Sequence, residues 1–151
     1  THILDDLPAP EHLIQVGIRS SGKPKSHWEN TFGVKQHWAH EIKDLGIEKV
    51  INNILNQLAE QNIDELYVSF DIDAIDDSFA SATGTPEPDG LMPEEAMQIL
   101  RAIAAKYPIT GADMMEIAPF TDSSGQGEIS RNKTLKVAGE ISAFLINEMN
   151  K

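Results

Sequence analysis

Ser69-Phe70-Asp71-Ile72-Asp73-Ala74-Ile75-Asp76-Asp77-Ser78-Phe79-Ala80-Ser81-Ala82-Thr83-Gly84-Thr85-Pro86-Glu87-Pro88-Asp89-Gly90 is the stretch on which the fold turns. The apolar run Leu66 to Phe70 reads as an interior strand, and it delivers Asp71 and Asp73 into a loop of small residues, Gly and Pro. Residues two apart on a strand share a face, so both carboxylates are expected to aim at one point at the strand's carboxyl end. Two unpaired carboxylates brought together out of water repel and resist ionisation, which calls for a cation or a strong donor. A hard or borderline divalent metal is the economical answer.

Strands and helices alternate outward from this stretch. Residues 12 to 19 read as a strand, Ser20 to Lys25 as a loop, and 34 to 44 as a short helix ending at Gly46. Ile47 to Asn62 is an amphipathic helix with Val50, Ile51, Ile54, Leu55 and Leu58 on one stripe. The strand at 65 to 72 follows. Pro93, with Glu94 and Glu95 in the first turn, opens a helix to about Lys106 that buries Ala96, Ile99, Leu100 and Ile103. Residues 109 to 117 read as a strand, Thr121 to Glu128 as a polar loop, and 130 to 149 as a last helix. This alternation predicts an α/β fold, three-layer αβα with a mostly parallel sheet, whose ligands bind beyond the carboxyl ends of the strands. Asp71, Asp73 and Glu116 all fall at that end.

Among 151 residues, 24 are Asp or Glu against 12 Lys or Arg, a formal net charge of −12. That balance disfavours a nucleic-acid partner, which needs clustered Lys and Arg, and suits a soluble enzyme with a cationic substrate. No apolar run of about 18 residues is present, so no membrane partner is expected. Cysteine is absent, which excludes disulfides and thiolate metal sites and fits a cytoplasmic location. Thr1-His2-Ile3-Leu4-Asp5-Asp6 has neither an initiator Met nor the regions of a signal peptide, and reads as the interior of a longer chain.

The Ser69–Gly90 stretch resembles the signature of the ureohydrolases (arginase, agmatinase, formimidoylglutamase), in which Ser-x-Asp-x-Asp-x-x-Asp-Pro precedes a Gly-Thr-Pro loop. Gly111-Ala112-Asp113-Met114-Met115-Glu116-Ile117-Ala118-Pro119 resembles that family's later strand, and Val16-Gly17-Ile18-Arg19 an earlier one. The resemblance implies the arginase-like fold. It implies that Asp71 and Asp73 ligate a dinuclear manganese (Mn2+) centre, that Glu116 grips the substrate's guanidinium, and that Thr85 supports the pocket wall. The implied reaction is hydrolysis of a guanidino compound such as arginine or agmatine to urea and an amine, by a hydroxide the two ions generate near neutral pH. A formimidoylglutamase releasing formamide is the alternative within the family; a non-catalytic binding or scaffold domain is the alternative outside it. The resemblance also implies a homo-oligomer, trimer or hexamer.

The family's Gly-Gly-Asp-His and Asp-x-His-x-Asp motifs, and a proton-transfer histidine, have no counterpart in the sequence. Residues 1–151 therefore resemble the C-terminal part of a single ureohydrolase domain, and the chain alone is expected to be inactive, with no catalytic residue assigned within it. Asp77 and Ser81 stand where the family favours Pro, which is expected to loosen the loop, and Asp89 stands where Gly is usual. Asp76 is expected to open a turn through its side chain, and Asp113 to pair with a basic neighbour. His37 and His40 are expected on one surface or interface helix without a metal role. Met114 and Met115 are assigned to the core, and Ser123-Ser124-Gly125 to a plain loop.

Overall fold

Two parallel strand pairs carry the chain, each in its own compact unit, residues 1–62 and 63–151. They are seen in a computed structural model that describes residues 9–120 and 127–151. The Ser123-Ser124-Gly125 loop and the first six residues thus lie outside the described residues.

In the first unit, β1 (Ile14–Ile18) pairs in parallel with β2 (Lys35–Trp38). The register slips between Val16 and Ile18, where Gly17 adopts a φ of 84°, a bulge geometry that glycine takes without strain. Helix α1 (Lys25–Phe32) precedes β2 and ends at left-handed Gly33. The sequence predicted a helix over 34–44, and the structure corrects this. Lys35–Trp38 is a strand, and α2 (Ala39–Leu45) begins only after it. Pairing with β1 buries Gln36 beside Gln15, and the Gln36 Nε2 donates to Gln15 Oε1 at 2.7 Å, a non-local partner that overrides local helical preference. Glu41 accepts from the Trp38 N–H at 2.9 Å and so starts α2. His37 and His40 accordingly do not share a helix: His37 is buried on β2 and bonds Gln57 at 2.9 Å, while His40 is exposed on α2. Helix α3 (Ile47–Glu60) buries Val50, Ile54 and Leu58, the centre of the predicted stripe.

In the second unit, β3 (Leu66–Asp71) pairs in parallel with β4 (Ile109–Met115), with Ser69 opposite Asp113 and Asp71 opposite Met115. Between them runs α4 (Pro93–Ala104), which buries Ala96, Ile99 and Leu100 and leaves Ile103 half-buried. Helix α5 (Glu128–Met149) turns Thr134, Val137, Ala138, Ile141 and Leu145 inward, and it packs against β4 and α4. Two expectations fail on β4. Met115 is 46% exposed rather than in the core. Asp113 accepts from Tyr67 Oη at 2.8 Å and Ser69 Oγ at 2.7 Å rather than from a basic group, because parallel pairing sets Ser69 opposite it and Tyr67 diagonally across. Among the described residues, no helix is long and apolar enough to cross a membrane.

Candidate functional site

Strand β3 stops at Asp71, earlier than the alternation argument required. Ile72–Ala74 forms a single 3-10 turn, and the Asp71 carboxylate caps it by accepting the Asp73 N–H at 3.0 Å. Asp71 and Asp73 are thus brought together by a capped turn and not by sharing one face of a strand. Ile72 is fully buried beneath the turn and anchors it.

The loop that follows folds back on this turn. Asp76 opens it as expected: its carboxylate accepts from the Ser78 N–H and hydroxyl and, at 3.2 Å, from the Gly90 N–H. Burial works against the Asp76 charge, but these bonds and an amide at Asp89 hold its carboxyl below the usual range. Asp77 uses the N–H that a proline would lack, donating to the Glu87 carbonyl at 3.3 Å, so the loop is tied there and not loosened. Asp89 has a φ of 63°, which Asp tolerates better than most residues and which explains a glycine-like position. Ala80, Ala82 and Thr83 are fully buried, and the loop emerges at Gly84 and Thr85.

Thr85 Oγ1 donates to Asp73 Oδ2 at 2.7 Å. Gly84 faces Glu116: a Cβ at Gly84 would lie 3.4 Å from Glu116 Oε2. Glu116 follows the last residue of β4 with a φ of 61°, a left-handed conformation that costs a glutamate about 1–3 kcal/mol. The chain after it is fastened by the Ala118 N–H, which donates to the Ala82 carbonyl at 3.0 Å. Burial pushes the Asp71 carboxyl above the usual carboxylate range. The Asp73 N–H pulls the other way, and the charges of Asp73 and Glu116 add to the rise.

The structure therefore gathers Asp71, Asp73, Thr85 and Glu116 at the carboxyl ends of β3 and β4. Thr85 and Glu116 are exposed there, whereas Asp71 and Asp73 are half-buried. Such a cluster can attract a divalent ion or a planar organic cation. The donor type suits a hard cation, but the set is partial: among the described residues no group of three or more His, Cys, Asp or Glu is arranged to hold a metal. Ala82 and Ala118, whose peptides connect the two sides of the cluster, escaped the sequence reading because nothing in their side chains signals such a part.

Comparison with known proteins gives a consistent result. A family model described as Arginase family matches residues 1–145. Proclavaminate amidinohydrolase of Streptomyces clavuligerus is 35% identical over 127 residues, 82% of this chain and 39% of that protein. Its solved structure matches with a TM-score of 0.77 at 32% identity, covering 97% of this chain and 46% of the other. Arginase of Bacillus caldovelox is 31% identical over 139 residues, 92% of this chain and 44% of the relative. Formimidoylglutamase of Bacillus subtilis matches in structure with a TM-score of 0.75 at 25% identity, covering 93% of this chain and 42% of the other. The chain spans less than half the length of each, and it has the three-layer α/β arginase-like fold that the sequence predicted.

Proposed function

This chain belongs to the arginase family, and we propose from that premise that it supplies the carboxylate side of a site that hydrolyses a guanidino compound to urea and an amine. The observation that carries the proposal is the convergence of Asp71, Asp73, Thr85 and Glu116 where β3 and β4 end. In this reading residues 1–151 are the C-terminal part of a single arginase-family domain.

Asp71 and Asp73 are the residues that would hold divalent ions, with manganese the ion implied by the resemblance. Their oxygens are of the kind such ions prefer, and the crowding of Asp71 by Asp73 and Glu116 is relieved by positive charge. When bound, the ions make water a competent nucleophile near neutral pH. Two carboxylates are fewer donors than a pair of such ions takes, so the chain alone is expected to release no urea.

The chain's own residues do the rest. Thr85 fixes the Asp73 carboxylate by donating to Oδ2. Glu116, exposed and carried on a strained but fastened backbone, offers its carboxylate to a planar cation with several N–H donors. Gly84 leaves the space beside Glu116 open. A homo-oligomeric, cytoplasmic enzyme is part of the same proposal.

The likeness to a formimidoylglutamase structure supports a second reading within the family, release of formamide from a formimino compound. A kinetic panel on the intact protein with added manganese separates them, using arginine, agmatine, guanidinobutyrate and formiminoglutamate. Urea from a guanidino substrate supports the first reading and formamide the second. Turnover of none of the four leaves a binding or scaffold domain as the surviving description.

A further inference from the structure

We propose that Thr134 is a positioning residue for the Glu116 carboxylate, acting from helix α5 through the peptide groups of Ala82. The proposal rests on the reading of Glu116 as the guanidinium-binding group.

Thr134 is fully buried in the second unit. Its hydroxyl donates to the Ser130 carbonyl at 3.0 Å, one helical turn back, which commits its only hydrogen. A lone pair is thereby left to accept the Ala82 N–H, also at 3.0 Å. The bond spans a sequence separation of 52 residues and ties a buried loop to the helix. On its other side, the Ala82 carbonyl accepts the Ala118 N–H at 3.0 Å. Ala82 is thus held between α5 and the segment that leaves β4.

Both arms of the candidate site hang from this point. Glu116 lies two residues before Ala118, and its φ of 61° persists only if the chain beyond it is held. Gly84 lies two residues after Ala82, with its open side 3.4 Å from Glu116 Oε2, and the adjoining Thr85 bonds Asp73. The placement of Ala82 therefore sets the gap between Gly84 and Glu116. Ala80, Ala82, Thr83 and Thr134 are each completely enclosed, so solvent is poorly placed to stand in for the threonine hydroxyl. Thr134 touches no ligand position itself. Its effect is on where the carboxylate stands.

The test combines amide hydrogen exchange with steady-state kinetics in the intact protein carrying this chain. Thr134→Val keeps the side-chain shape and strands the Ala82 N–H. It is expected to speed exchange at both Ala82 and Ala118 by about tenfold or more, while Ile141 and Leu145 on the same helix stay protected. KM for the guanidino substrate is expected to rise about tenfold, with kcat changed less. Thr134→Ser keeps the hydroxyl and is expected to retain both the protection and the KM. Unchanged exchange at Ala118, or an unchanged KM, in folded Thr134→Val overturns the proposal. So does a loss of either in Thr134→Ser, which decides the matter alone if the valine variant does not fold. Should the wild type turn over no guanidino compound, the assignment of Glu116 fails and the proposal with it; coupled exchange at Ala82 and Ala118 would then record only a structural tie.

Discussion

The two parallel strand pairs are built alike and finish differently. In β1–β2 each notable polar side chain meets a neutral complement: Gln36 bonds Gln15, the Trp38 indole N–H donates to Gln36, and His37 bonds Gln57. In β3–β4 the carboxyl ends gather Asp71, Asp73 and Glu116, and the Asp71 carboxyl is pushed upward by burial and by its acidic neighbours. Matched neutral groups satisfy one another and specify packing. Carboxylates crowded together out of water are costly, and that cost is recovered when a cation binds. On the proposed function, the contrast separates a pair that serves folding from a pair that would serve chemistry.

The sharpest way to break the contrast is Glu116→Gln, which keeps the shape and removes the charge. In the intact protein kcat/KM for the guanidino substrate is expected to fall by about a hundredfold or more, with thermal stability unchanged or higher. A small effect on turnover would return Glu116 to the class of structural groups. On the other strand pair, Gln57→Leu strands the buried His37 ring and is expected to cost about 1–3 kcal/mol in a urea titration, with KM unaltered. A change in KM there would blur the division. Gly84→Ala places a methyl group 3.4 Å from Glu116 Oε2, an ordinary contact distance, so the melting temperature should hold while KM rises a few fold, by about 1 kcal/mol or less. The smallest effect is one of pH. Burial works against the Glu41 charge, but Lys25 and the Trp38 N–H hold its carboxyl below the usual range. Its stabilising contribution is therefore present above the ordinary carboxylate range and is lost as pH falls through the lowered folded value. Acid titration of Glu41→Gln beside wild type should show a small excess stability of the wild type that disappears in acid.

The helices α3, α4 and α5 and the strands β3 and β4 were legible because their apolar spacing is a local property. Strand β2 was not. Gln36 and His37 are buried on a strand set by its pairing with β1, which no local window contains, and four residues running straight into a helix share its pattern. Strand alternation accounts for only half of the acidic pair, since the capped turn that joins Asp71 to Asp73 depends on where the strand ends. The partners of Asp113 are not legible locally, because only the register brings Ser69 and Tyr67 near it. The tie from Thr134 to Ala82 links residues that sequence spacing does not relate.

The left-handed backbone at Glu116 has an evolutionary consequence. One base change turns a glutamate codon into a glycine codon, and glycine accepts that φ freely. Mutational drift thus has a short, downhill route from Glu116 to a more stable protein with no charge at this position. If Glu116 binds substrate as proposed, selection on folding and selection on binding pull this one position in opposite directions. In a lineage that no longer needed the carboxylate, position 116 would be among the first to record the change.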